Sequence, residues 1–554
     1  MFYDKKVWLG LTDEGEKACL LPRMANRHGM IAGATGTGKT VTLKVMAEAF
    51  SDMGVPVFMA DVKGDLAGTK NAGADSDDMR ERIESFGLGE AAFAYQGYPV
   101  TFYDIFGRNG IQLRTTISEM GPTLLSRILD LNQLQSDLLS VVFKIADDNG
   151  LLLIDTKDLK AMLNFVNDNR KEFAQDYGNI APASIGVILR AVAAIEAEGG
   201  DVFFGEPAIN LNDWFATGAG GKGMISILDS QSLIHNGRLY STFLLWMLSE
   251  LFENLPEVGD LPRPKMVFFF DEAHLLFKNT SKSLLDKIEQ VVKLIRSKGV
   301  GVYFVTQNPR DIPDNVLAQL GNKVQHGLHA YSPAEQKAVR AAAQAFRENP
   351  AFKTYDTILG LGTGEAVVSF LDEGGIPMMA QKVRVLPPQS AFGGISDEER
   401  GVAVKGSLLY GKYAEAVDPD SAYEFLERRG LEAFEERERL KQEAAEEKER
   451  LRQEALAEKE RLKQEAAEEK ERARQEAADA KAKAAEEARI QREKEKEEAA
   501  KKRAAKQVGS SVAGTLGREV GKTFGAKFGT FGKTLGGNVG ASLGRGLLNT
   551  FFKS

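Results

Sequence analysis

Apolar residues in this chain gather into short runs that end on a polar or charged side chain, with helical stretches between them. The runs are HGMIAG (28–33), VPVFMAD (55–61), GMISILD (223–229), KMVFFFD (265–271) and GVYFVTQ (301–307). Nearly continuous apolar runs of this length read as strands buried on both faces of a sheet. Their alternation with helical patterns predicts an α/β domain with a largely parallel sheet. Near its end, GEAVVSFLDEGGIPMMAQKVRVL (364–386) predicts a β-hairpin turning at Glu373, Gly374 and Gly375.

The long interval before the third run has a different period. From Thr115 to Gly199 the apolar positions follow a helix, as in LLSRILDLNQLQSDLLSVVFKIADD and SIGVILRAVAAIEAEG, so residues 105–215 are expected to be a mainly helical insertion. Residues 1–400 then form one globular domain and 401–430 a linker. From 431 to 507 the chain is almost entirely Glu, Lys, Arg, Gln and Ala, and from 508 to 554 it is Gly-rich and basic.

The charged segment repeats every 11 residues: ERLKQEAAEEK (438–448), ERLRQEALAEK (449–459), ERLKQEAAEEK (460–470) and ERARQEAADAK (471–481). Eleven residues in three turns lie close to the natural helical pitch, so this helix is expected to be straight or slightly right-handed. Glu435/Arg439, Glu446/Arg450 and Glu468/Arg472 are spaced as i,i+4 pairs. The apolar stripe is thin, with Leu440, Leu451 and Leu462. Two readings stay open: a solvated single helix, or a weak coiled coil between assembled subunits. In the tail, Gly517, Gly521, Gly525 and Gly529, then Gly532, Gly536, Gly540 and Gly544, recur every four residues. Arg518, Lys522, Lys527, Lys533 and Arg545 are interspersed with them. This reads either as a flexible tail or as a segment that orders on a protein partner or an anionic membrane.

Composition narrows the class. With 554 residues and 43% hydrophobic content a sizeable core is available. A net charge of −8 argues against a broadly basic surface but leaves room for a local basic groove. The single cysteine, Cys19, forms no internal disulfide and reads as a small packing residue in a reducing compartment. The N-terminus has no apolar signal region, and no stretch approaches the roughly 20 apolar residues of a spanning helix. A cytoplasmic protein is expected.

Chemistry enters with Gly33-Ala34-Thr35-Gly36-Thr37-Gly38-Lys39-Thr40, which fits G-x-x-x-x-G-K-[ST] in full, after an apolar strand and before the helical VTLKVMAEAF. In such a loop, backbone N–H groups curl around phosphate oxygens. Lys39 reaches the β- and γ-phosphates of ATP, and the Thr40 hydroxyl ligates Mg²⁺. Asp271, at the end of a later apolar strand, is expected to hold Mg²⁺ through water, and Glu272 to polarise the attacking water. Gln307, ending the next strand, is placed to sense the γ-phosphate. His274 either couples this site to a neighbour or packs under the sheet. The letters D-E-A-H at 271–274 also occur in helicases with two tandem cores, but here one phosphate loop and one acidic strand are found.

GATGTGKT, VFMADVKGD (57–65), a strand ending DEAHLLF, IRSKGVGVYFVTQNPRDIP (295–313), LGTGEAVVSFL (361–371) and FFGEPA (203–208) occur together in this chain. In this combination it resembles the HerA-like branch of the HerA/FtsK motor superfamily over about residues 5–390. The resemblance implies a RecA-like P-loop NTPase fold and a homo-hexameric ring that hydrolyses ATP and moves double-stranded DNA through its pore. It also implies a site completed by an arginine from the neighbouring subunit, with Arg296 the best match and Arg310 the runner-up. Asp61, Lys63 and Asp65 match the second-strand motif, near the nucleotide or the pore. HerA itself carries a β-barrel before its phosphate loop, whereas 32 residues precede Gly33 here. The membrane spans and winged helix of the FtsK type are not seen. Two functions follow: a DNA translocase or remodeller, or an ATP-driven assembly factor acting on protein or membrane partners through its C-terminal helix and tail.

Overall fold

A computed structural model describes residues 1–88, 93–233, 237–277 and 282–501. The Gly-rich tail, with its glycine spacing and basic residues, lies outside the described residues. The strands are β1 (Phe2–Tyr3), β2 (Lys6–Thr12), β3 (Lys17–Leu20), β4 (Gly29–Ala32), β5 (Val57–Asp61), β6 (Val100–Asp104), β7 (Ile111–Gln112), β8 (Ile225–Asp229), β9 (Met266–Phe270), β10 (Val300–Thr306), β11 (Asn322–His326), β12 (Glu365–Ser369) and β13 (Gln381–Val385). They form one sheet in the order β1-β2-β13-β12-β11-β4-β10-β9-β5-β8-β6-β7, with β3 paired to β2.

From β11 to β7 neighbouring strands run parallel. From β11 through β12, β13 and β2 to β1 they run antiparallel. The central order β11-β4-β10-β9-β5 separates the phosphate-loop strand β4 from the acidic strand β9 by one intervening strand, the RecA-like arrangement. The five apolar runs become β4, β5, β8, β9 and β10, and the hairpin becomes β12 and β13, turning where Gly375 N donates to Asp372 O at 3.0 Å.

Both faces of the parallel part are covered, which explains why its strands lack polar alternation. Met266, Phe268 and Phe270 pack with Val302, Phe304 and the helical insertion on one face. Val267, Phe269, Tyr303 and Val305 pack on the other, with Phe50 of the helix Lys39–Asp52. All five residues of β9 are fully buried. Cys19 lies at the margin of this second cluster.

Residues 117–203 hold the helices of the insertion. The segment 401–430 is not a free linker. It carries the end of the helix Asp397–Lys405, the short helix Tyr410–Tyr413 and the start of the long helix, which begins at Ala422 instead of 431. Tyr413 is fully buried, and its carbonyl accepts from Arg114 Nη1 at 3.0 Å. The charged letters of this stretch conceal those anchors. The compact unit accordingly extends from Met1 to Arg437.

The long helix spans Ala422–Lys501, 80 residues, or about 120 Å at 1.5 Å per residue. Its Leu440, Leu451 and Leu462 are all more than half exposed. The arginines of the repeat reach forward along the helix: Arg439 to Glu443 at 3.5 Å, Arg450 to Glu454 at 3.9 Å and Arg461 to Glu465 at 3.5 Å. This is the less favourable orientation relative to the helix dipole, so these pairs add little. No single helix among the described residues is long and apolar enough to cross a membrane.

Candidate functional site

The C-terminal ends of the parallel strands bring the candidate residues together. The phosphate loop runs from the end of β4 into the helix Lys39–Asp52. Gly38 has φ 112°, and a Cβ there would lie 3.3 Å from the Gly364 backbone, so a side chain at this turn would be strained and crowded. Gly364 N donates to Thr37 O at 3.0 Å, and Ala34 N to Gly327 O at 2.8 Å, tying the loop to its neighbours.

Lys39 is buried, and its ammonium donates to the carbonyls of Gly33 at 2.8 Å and Ala34 at 3.0 Å. Burial, then the nearby Lys63 charge, pulls its pKa below the ordinary lysine value, against the opposing pull of Glu272 and Asp271. Thr40 Oγ1 donates to Asp65 Oδ2 at 3.3 Å.

Asp271 and Glu272 follow β9 and are both buried. Burial pushes Asp271 up to about 6, with Lys63 opposing and Glu272 adding to the shift. Asp61, at the end of β5, is pushed up to about 7 chiefly by burial. Glu272 goes the other way. Burial raises it, but Lys63 and then Gln307 and His274 outweigh that and hold it below the ordinary glutamate value. Lys63 Nζ lies 2.6 Å from Glu272 Oε1. Gln307 Nε2 donates to Oε1 at 3.3 Å and Oε2 at 3.2 Å. His274 Nδ1 stands 3.2 Å from Oε2, an approach that lacks hydrogen-bond geometry. Glu272 also has φ 48°, a left-handed conformation that a non-glycine residue adopts at a cost of order 1–3 kcal/mol. Strain of that kind persists where the surroundings over-determine it.

Asp61, Lys63 and Asp65 therefore belong to the phosphate-loop site within this chain. Asp65 Oδ1 is buried without a hydrogen-bond partner. Together with the Thr40 hydroxyl and Asp271, it makes an acid-rich corner that a cation would satisfy. Mg²⁺ takes few protein ligands and completes its shell with water and phosphate oxygens, so this donor set fits Mg²⁺ with a nucleoside triphosphate.

Two residues escaped the sequence reading. His326, ending β11, is fully buried. Its Nδ1 pairs with Glu365 O at 2.8 Å and its Nε2 with Thr42 Oγ1 at 2.8 Å. Its Cβ lies so close that a Cβ on Gly33 would come within 2.5 Å. It thus buttresses both ends of the phosphate loop. Arg400 is the second, 3.6 Å from Asp229 at the end of β8. Its only sequence signal was a charged residue in a helical stretch.

Arg296 does not join this cluster. It lies in a short turn before β10 and is exposed, so it sits at the opposite end of the sheet from the phosphate loop of its own chain. The seven residues of β10 separate the two ends by roughly 20 Å. Arg310 follows Gln307 at the site's own end of the sheet and is exposed.

Fold and site together define a RecA-like P-loop nucleotide site with its acidic strand in place. The chain belongs to the family described as "Helicase HerA-like C-terminal", whose model matches residues 7–534. It is similar to a DNA double-strand break repair helicase HerA of Sulfolobus acidocaldarius, with 21% identity over 353 residues, 62% of each chain. The HerA of Sulfurisphaera tokodaii matches at 24% over the same share of each chain. The matched part thus spans 62% of the length of these relatives. Among solved structures, the bacterial conjugative coupling protein TrwB aligns at 14% identity, covering 72% of this chain and 92% of that one, with a TM-score of 0.48. VirB4 of Thermoanaerobacter pseudethanolicus aligns at 15% identity over 70% and 97%, with a TM-score of 0.42.

Proposed function

We propose that this protein is a Mg²⁺-dependent ATPase that works as a homo-hexameric ring and couples hydrolysis to translocation on, or remodelling of, double-stranded DNA. The observation that carries the ATPase reading is the convergence of Lys39, Thr40, Asp271 and Glu272 at one sheet edge. In this reading Lys39 leaves its two carbonyl partners for phosphate oxygens, a better match for a buried ammonium. Thr40 and Asp271 would hold Mg²⁺, which would supply charge neutralisation at the phosphates. Glu272, at the end of the acidic strand, accepts a proton from the attacking water. Gln307, hydrogen-bonded to Glu272, orients that carboxylate.

The place of Arg296 supports a ring. An arginine at the far end of the sheet cannot serve its own phosphate loop, but it can face the loop of an adjacent copy. The DNA substrate is supported by family membership and by the description of the two archaeal relatives as DNA repair helicases. The test is the steady-state ATPase rate with and without linear double-stranded DNA at low and moderate salt. Stimulation that weakens with salt is expected; a rate indifferent to DNA would contradict DNA coupling.

A second reading, an ATP-driven assembly factor acting on protein or anionic membrane, is favoured by one observation. The long helix exposes Leu440, Leu451, Leu456 and Leu462 along its length. A weak coiled coil between subunits of the ring would cover the same residues.

A further inference from the structure

Lys63 has a position that phosphate binding by Lys39 does not explain. Its ammonium holds one oxygen of Glu272 at 2.6 Å, while the Gln307 amide reaches both oxygens and His274 stands against the second. It is chiefly the ion pair with Lys63, rather than the orienting Gln307 amide, that lowers the affinity of this carboxylate for a proton and makes it a weaker base toward water. The arrangement is therefore an idle one for a general base.

The backbone carrying Lys63 is firmly built. The Asp61 carboxylate accepts from Gly64 N at 2.7 Å and Leu66 N at 3.0 Å. Gly64 has φ 77°, and a Cβ there would come within 2.7 Å of Gln231 Nε2. Asp65 holds Thr40 of the phosphate loop. The Lys63 side chain, in contrast, is 38% exposed against 5% for Glu272. Lys39 and Lys63 feel each other's charge. Lys39 is held by two backbone carbonyls, whereas Lys63 reaches Glu272 from a half-exposed side chain.

We propose that Lys63 is a latch operated by the γ-phosphate: it pins Glu272 before a nucleoside triphosphate binds, then moves onto the γ-phosphate and frees Glu272 to orient water. This rests on the ATPase reading above and adds to it a residue that tells ATP from ADP. No covalent bond forms or breaks; an ammonium exchanges a carboxylate partner for a phosphate one. A nucleoside diphosphate lacks the competing oxygens, so with ADP the latch stays closed.

The test is equilibrium binding of fluorescent ADP and of a fluorescent, non-hydrolysable ATP analogue to the full chain with Mg²⁺. Lys63→Met is expected to weaken the triphosphate by roughly tenfold or more, the worth of one charge-assisted hydrogen bond. It should leave ADP within about twofold, and Lys63→Arg should restore most of the loss. Glu272→Gln should tighten the triphosphate, because Lys63 no longer leaves an anionic partner, and that gain should vanish in the Lys63→Met background. An equal loss for both nucleotides, or no loss for either, would overturn the latch. So would a Glu272→Gln gain that persists without Lys63, and this outcome remains readable if either lysine variant alone folds poorly. Failure of the ATPase reading looks different: the wild-type chain would bind neither nucleotide, or Glu272→Gln would turn over ATP at the wild-type rate.

Discussion

The Asp158 carboxylate, fully buried inside the helical insertion, accepts from Ser421 Oγ at 2.6 Å and Tyr423 N at 2.8 Å. It also accepts from Ile154 N at 2.8 Å through its other oxygen, so one side chain closes the start of its own helix and the start of the long helix. Glu424 completes the second start by accepting from Ser421 N at 3.0 Å. Asp158→Ala leaves several buried donors without a partner, each costing about 1–3 kcal/mol. The variant should lose roughly 2–4 kcal/mol in denaturant unfolding and become open to proteolysis near residue 421. Ser421→Ala, which removes one hydroxyl, should lose about 1 kcal/mol.

The same anchoring sets where the chain can be cut. Ending it after Arg437 keeps Tyr413, Ala422 and the Asp158 contacts within the compact unit. That truncation should unfold within a few degrees of the full chain. Ending it after Lys405 removes the buried Tyr413 and strips Asp158 of its partners, and should lower Tm by 5 °C or more. Thermal unfolding of the two truncations decides the point.

His326 carries a pH signature. Burial, reinforced by the Lys39 charge, holds its imidazole down at about 4, against an ordinary value of 6.5. Between those values the unfolded chain binds a proton that the folded one does not. The neutral imidazole therefore contributes stability that is present above about 6.5 and lost as pH falls toward 4. His28, shifted in the same direction to about 4, is present in both proteins and cancels in a comparison. The stability gap between wild type and His326→Gln should narrow on acidification, by at most about 1.4 kcal/mol per pH unit. A gap constant from pH 7 to 5 would contradict the buried, neutral state.

Lys39→Ala tests the phosphate loop alone. The protein partners of the ammonium are two backbone carbonyls of the same loop. Nucleotide turnover should fall below detection while the far-UV circular dichroism spectrum stays near that of wild type. Unchanged turnover would remove the proposed site.

The strands that were legible in the sequence are those whose side chains meet apolar neighbours on both faces, such as Met266–Phe270. Strand β11, NKVQH, was not, because its buried polar groups are paired in ways that only the fold reveals. Asn322 Nδ2 donates to the Met24 and His28 carbonyls, and His326 bridges Thr42 and Glu365. The N-terminal strands were hidden by their brevity and by charged letters at their ends. At the site, the phosphate loop and the acidic pair could be read from local patterns. The contact of Lys63 with Glu272 could not, since it is made by two loops distant in sequence that only the β5–β9 pairing brings side by side.

The central claim is that Glu272 is the base of a hydrolytic site. It is tested most directly by single-turnover ATP hydrolysis with the wild-type chain and Glu272→Gln in the presence of Mg²⁺, with nucleotide binding measured on the same samples. Loss of the base should slow the chemical step by about 10²–10⁴-fold while ATP remains bound. Hydrolysis by the variant within a few-fold of wild type would contradict the account and move the search for the base away from this carboxylate.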